Sequence, residues 1–299
     1  MWRLGIVDFD SSHCVEFSRR FNRIGVGSEQ FVDGAEVVLA WPGSSDMAPE
    51  RIPGFQREIE GMGIELASSA DELIGQIDAV LVLSLCGSAH LDRARPFLSA
   101  GIPTFVDKPF ACSVSDAEEM IGLAHEHNTL LFNASALRFS EEALSVAQRQ
   151  DTLGQVNGVV TYGPSKHADG NPGLFHYGIH SVELLFQLLG PGCAVVTATS
   201  SGDSEAVTGR WSDGRIGTVR GNRTGATRYG FTAFCEHAVV SQPVSTRYAY
   251  RNLCRAILQS LDSGEPAVSH TSNLEVIQFV GAALASEKQG GQPIELNRV

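Results

Sequence analysis

Two groups of residues in this sequence have the types and spacing to do chemistry. The first is Thr104-Phe105-Val106-Asp107-Lys108-Pro109, an apolar run ending in an acid, a lysine and a proline. Pro103 opens the run and Pro109 stops it, because proline cannot donate to a sheet ladder. Lys108 is therefore predicted at the carboxyl end of a short buried strand, the edge where open α/β sheets place their ligands. A charge there is costly to bury unless it has a partner or a task. The second group lies in Phe175 to Leu189, which Gly190-Pro191 ends. At helical spacing His176, His180 and Glu183 share one face, opposite an apolar stripe of Ile179, Val182, Leu185, Phe186 and Leu189. Two imidazoles and a carboxylate suit acid–base chemistry near neutral pH. They equally suit a metal, or are satisfied histidines at a helix start.

The elements that must hold these groups alternate. Leu4 to Val7 reads as a first buried strand, followed by the loop Asp8-Phe9-Asp10-Ser11-Ser12-His13 and a helix carrying Val15, Phe17, Phe21 and Ile24. Strand, tight loop and helix open a nucleotide-binding βαβ unit, but the loop has no glycine where G-x-G-x-x-G would have three. Free carboxylates at Asp8 and Asp10 would repel a pyrophosphate, while Ser11 or Ser12 can cap the helix. Ala35 to Trp41 is a second strand. It ends in Pro42-Gly43-Ser44-Ser45-Asp46 without the acid expected there for a NAD ribose, so NAD and NADP both stay open. A capped helix start is expected at Ser69 to Glu72, and Ile77 to Leu83 is the clearest buried strand. Further units follow to Asn133, which together fit a doubly wound parallel sheet. Beyond Arg138-Phe139 a helix (Glu141 to Gln150) and an alternating strand (Val156 to Tyr162) lead to the histidine segment. Four strand-like runs come next, Cys193–Ser200, Ala206–Trp211, Ile216–Asn222 and Phe231–Val240. Two amphipathic helices, near Thr246–Leu261 and Thr271–Lys288, close an antiparallel α+β arrangement.

A net charge of -12 argues against nucleic-acid or anionic-membrane partners. No apolar run reaches about 18 residues and the chain opens on a strand rather than a signal peptide, so a cytoplasmic protein is expected. The six cysteines are scattered without a CxxC pair and read as reduced core residues.

In this setting Asp107-Lys108-Pro109 resembles the (E/D)KP motif of the Gfo/Idh/MocA oxidoreductases, the glucose–fructose oxidoreductase and inositol dehydrogenase group. Ala100-Gly101-Ile102-Pro103 is similar to that family's lead-in, Arg138-Phe139 to its domain crossover, and Gly178-Ile179-His180 to the core of its D-x-G-x-H helix. Gly209-Arg210-Trp211 and the tail Gly290-Gly291-Gln292-Pro293-Ile294 extend the likeness over essentially the whole chain. The resemblance implies a Rossmann-like dinucleotide-binding domain over 1–136. It implies an α+β substrate and oligomerisation domain over 137–299, with a large open, mainly antiparallel sheet through which homodimers or homotetramers form. The C-terminal segment can pack back on the first domain.

The same resemblance implies that Lys108 works beside nicotinamide and substrate, that the Lys108–Pro109 peptide is cis, and that His180 is the general acid/base. It puts Asp8 to His13, Ser84, His90, Asp107 and Pro109 around the cofactor. By position, rather than by the resemblance, the loop 163–172 with His167 is expected either to overhang the cleft and select substrate or to be an exposed linker, and Arg138, Tyr162 and Glu183 are candidate substrate contacts. His176 stands where the family has its catalytic aspartate, and the 8–13 loop resembles the "GLDTSH" version of one subgroup with its first glycine lost. The leading expectation is an NAD(P)-dependent dehydrogenase for a sugar, cyclitol or related polyol, with no metal. The alternatives are a non-catalytic ligand-binding or regulatory protein on the same fold, and a metal-dependent lyase or hydrolase using His176, His180 and Glu183.

Overall fold

A computed structural model describes residues 1–296. The chain divides into two compact units. One comprises Met1–Ala111, Ser115–Ala134 and Tyr250–His270, the other Cys112–Val114, Ser135–Ala249 and the residues from Thr271 on.

The first unit is built on six parallel strands. In chain order its elements are β1 (Trp2–Val7), α1 (His13–Phe21), β2 (Ala35–Trp41), α2 (Ile52–Gly61), β3 (Glu65–Leu66), β4 (Ala79–Val82), α3 (His90–Ser99), β5 (Thr104–Val106), α4 (Val114–Glu126) and β6 (Leu131–Asn133). The sheet order is β3-β2-β1-β4-β5-β6, with every pairing parallel. The order reverses between β1 and β4, and in such sheets the crevice at that reversal is the ligand position. All four residues of β4 are buried, as a strand covered on both faces requires. Under the sheet Phe17 packs edge-on against Phe105, and Phe105 against Phe132. The expected helix at Ser69 is only a 3-10 turn, Ala70–Leu73. Glu72 is spent on the Ser68 N–H and hydroxyl rather than on a cap at Ser69, and Gly75 turns the chain with φ +83°.

The second unit contains α5 (Glu141–Gln148), α6 (Gln150–Leu153), β7 (Val156–Pro164), α7 (Ile179–Leu189), β8 (Cys193–Ser200), β9 (Ser204–Trp211), β10 (Ile216–Asn222), β11 (Gly230–Cys235) and β12 (Val239–Pro243). It also holds nearly all of α9 (His270–Lys288) and β13 (Ile294–Glu295). Between them, α8 (Ala249–Ser263) lies almost wholly in the first unit, where Trp2 Nε1 donates to Asp262 at 2.8 Å. The seven-stranded order is β12-β11-β7-β10-β9-β8-β13. The sheet is mixed: β7 and β10 run parallel, the other pairings antiparallel. The expected single strand Phe231–Val240 is a hairpin, because the Cys235 N–H turns back to the Ala238 carbonyl. On one face Phe186 packs against Trp211 and Phe279, and the Trp211 indole N–H finds the Gly190 carbonyl at 2.9 Å.

Candidate active site

In the first unit the chemistry-bearing residues collect at the carboxyl ends of β1, β4 and β5. Lys108 follows β5 as expected, and the Lys108–Pro109 peptide is cis. Lys108 is 8% exposed, and among the described residues its ammonium makes no hydrogen bond or ion pair. Its neighbour Asp107 is fully buried, with Oδ2 2.5 Å from His13 Nδ1. Burial alone would push the Asp107 carboxyl up. The charges of His13 and Lys108 and the bonds donated to it override this and hold it at about 2. His13, at the start of α1, also reaches the Tyr250 hydroxyl on α8 at 3.1 Å through Nε2, so one imidazole links α1, the β5 edge and α8.

The loop acids are not free charges lining a groove. Asp8 has φ +70°, the left-handed conformation a glycine would take in this turn and one an aspartate tolerates. Its carboxylate is buried, accepts from the Ser84 hydroxyl, and pairs with Arg93 Nε of α3 at 2.9 Å. Burial raises the Asp8 carboxyl above its ordinary value, opposed by Ser84 and Arg93. Asp10 is buried as well and accepts the Leu85 N–H at 2.9 Å. Ser11 Oγ accepts from the His13 N–H, whereas Ser12, the N-cap, makes no capping bond with its side chain. The turn therefore keeps its glycine-like backbone while both carboxylates are turned inward and satisfied. Arg93 offsets the Asp8 charge and a backbone N–H takes up Asp10, which lessens the expected repulsion of a pyrophosphate, and these residues fit a dinucleotide.

His90 is a different case from the one expected. It is wholly buried, with Nδ1 2.8 Å from the Pro109 carbonyl and Nε2 2.9 Å from that of Ser84. It ties the end of β4 to the segment after Lys108 instead of presenting an edge to a ligand. Phe9, also fully buried, is core.

In the second unit His180 lies in the first turn of α7, half-buried, with Ser135 Oγ 2.7 Å from Nδ1 and the Tyr229 ring edge-on at 5.6 Å. Ser135 is itself pinned, since its Oγ accepts the Leu137 N–H at the start of a short turn. His176 does not share a helical face with His180, because α7 begins only at Ile179 and His176 stands in the preceding turn against Tyr177. Gly178 is required there: a Cβ would press on Leu174. Glu183 points into the core, where it is 1% exposed and bonded to Arg138, which is 2% exposed and also reaches Ser272. Arg138 and Glu183 neutralise each other and act within the fold. His167 belongs to another cluster, with Arg223 Nη1 at 3.0 Å and Glu205 at 3.4 Å, and Tyr162 lies over Gly230 of the neighbouring strand. No group of three or more metal-ligating side chains occurs among the described residues. Ser135, Arg93 and Tyr250 are site residues that the sequence reading missed. Each is an ordinary surface or loop residue by pattern, and only its distant partner reveals it.

Fold and residues together define a Rossmann-type unit in one chain with a mixed-sheet unit. Residues 45–135 match the family described as the oxidoreductase family with NAD-binding Rossmann fold, Gfo/Idh/MocA. Among curated proteins no sequence matches the chain. Of the solved structures, a putative myo-inositol dehydrogenase from Sinorhizobium meliloti 1021 superposes with a TM-score of 0.80 at 17% identity, over 99% of this chain and 100% of that one. Scyllo-inositol dehydrogenase from Lactobacillus casei, with bound NAD(H) and scyllo-inositol, gives 0.80 at 14% identity over 99% of each. GenD2 from gentamicin A biosynthesis, in complex with NAD, gives 0.79 at 18% identity over 100% of this chain and 97% of that one. The family match thus covers the stretch that holds the Asp107-Lys108-Pro109 motif, and the solved structures share the fold of the chain. No helix among the described residues is long and apolar enough to cross a membrane.

Proposed function

We propose that this chain is an NAD(P)-dependent oxidoreductase that moves hydride between a nicotinamide cofactor and a secondary alcohol or ketone of a cyclitol, sugar or related polyol. The observation that carries the reading is Lys108, a nearly buried lysine whose ammonium makes no hydrogen bond or ion pair among the described residues, beside the reversal point of a parallel sheet. Supporting it, dehydrogenases of inositols share the fold. The cofactor is held by the 8–13 turn, the start of α1 and the loop after β2, and when bound it supplies the hydride acceptor. Lys108 favours the negative charge that develops on the substrate oxygen. His180 takes the hydroxyl proton at Nε2, the ring nitrogen opposite the one that faces Ser135. Exposed Ile216, Phe234 and Val239 on β10 to β12 support self-association through the mixed sheet, which light scattering would test.

The deciding experiment is a fluorescence titration of the purified chain with NADH and NADPH, followed by a polyol screen against wild type and Lys108→Ala. Micromolar cofactor binding with turnover abolished in the variant is expected. Failure of both cofactors to bind up to millimolar overturns the reading and leaves a ligand-binding protein on this fold.

A further inference from the structure

The carboxyl end of β2 carries a set of donors where a NAD-selective site carries an acceptor. Arg93 crosses from α3 to reach it. Its Nε is fastened to Asp8, and its Nη2 donates to Ser44 Oγ at 3.1 Å and approaches the Ser44 carbonyl at 3.4 Å. The guanidinium lies 5.0 Å from the centre of the Trp41 ring, and the side chain is 23% exposed. Among the described residues Nη1 has no partner, and the Ser44 and Ser45 N–H groups have none either. Ser45 Oγ accepts the Met47 and Ala48 N–H groups and so retains its own proton to donate. A second guanidinium, Arg51, has Nη1 3.1 Å from the Asp10 carbonyl. The acid in this stretch, Asp46, is exposed and comes five residues after the strand ends.

Two oddities of the sequence share one explanation. The first glycine of the loop is an aspartate, and the acid after β2 is missing. In the structure that aspartate holds the arginine that stands in for the missing acid's surroundings. Gly43 makes room for it, since a Cβ at Gly43 would be driven into the Asp8 carboxylate. A ribose bearing free hydroxyls asks for a carboxylate acceptor. A ribose 2′-phosphate asks for a guanidinium edge, hydroxyls and open amides.

We infer that the loop after β2, with Arg93, Ser44 and Ser45, is a 2′-phosphate subsite that makes this chain select NADP(H) over NAD(H), and that Asp8 is the positioning residue that presents Arg93. This rests on the reading of the Rossmann unit as a nicotinamide dinucleotide site.

The test uses the full chain and binding alone, with NADPH, NADH, 2′,5′-ADP and 5′-AMP as probes. NADPH should bind about tenfold or more tighter than NADH, and 2′,5′-ADP should compete where 5′-AMP does not. Arg93→Gln should erase most of that preference, weakening NADPH by a larger factor than NADH. Because Arg93 has a buried partner, Ser44→Asp provides a second, exposed variant, which should weaken NADPH by a larger factor than NADH. NADH binding as tightly as NADPH overturns the inference while the dehydrogenase reading stands. Equal loss of both cofactors in Arg93→Gln, with no selective effect of Ser44→Asp, overturns it as well. Binding of neither cofactor to wild type removes both readings together.

Discussion

Replacing Asp107 by asparagine should flatten the acid sensitivity of the first unit by an amount that the structure specifies. The Asp107 carboxyl is fully buried against His13 and held at about 2, below its ordinary value of 3.8. A lowered folded-state value means that the unfolded chain binds the proton more readily. The group therefore stabilises the fold above about pH 4 and loses that contribution as the pH falls towards 2. Between pH 5 and pH 3 the loss is about 1 kcal/mol, the rest lying below pH 3. Urea unfolding at several pH values can be followed by fluorescence, to which Trp2 and Trp41 contribute from the unit that holds Asp107. Wild type should lose about 1 kcal/mol more over that interval than Asp107→Asn, whatever their offset at pH 5. Parallel curves would refute the His13–Asp107 account, since they would mean that this carboxyl ionises alike in both states.

Other outcomes follow from the same geometry. Lys108→Met should lower kcat by about 100-fold or more in steady-state assays while cofactor affinity stays within a few fold, because the ammonium acts on the developing oxyanion. Ser135→Ala should cut kcat about tenfold and displace the pH–rate profile, with Ser135→Thr restoring both, since the hydroxyl orients His180. Glu183→Gln leaves the Arg138 guanidinium buried without its counter-charge and should cost about 3 kcal/mol in urea unfolding; Glu183→Leu with Arg138→Met should recover much of it. Gly43→Ala should cost more than about 1 kcal/mol, from the φ of +65° and the collision with Asp8, read as a fall in Tm.

Much of this protein was legible without its coordinates, and the reason is that the legible features are local. A continuous apolar run between prolines determines a short covered strand, and with it the position of Lys108 at the strand's end. The bounds of β2, β8 and β10 likewise follow from their own apolar pattern and flanking turn residues. What the tertiary structure decided is where side chains point and which remote group answers them. Asp8 looked like a charge facing a phosphate, but its partners Ser84 and Arg93 lie 76 and 85 residues away, and they turn it inward. Helical spacing placed His176 beside His180, yet the helix begins after it, because the His176 backbone, with ψ −107°, lies outside the helical region. Arg138 and Glu183 carry charges that suit a substrate, and packing buried them against each other. His13 meets a tyrosine 237 residues further on. Pattern along a chain reports burial and period, which depend on near neighbours. The pairing of charges depends on which distant elements the core brings together, and that is settled only when the chain is folded.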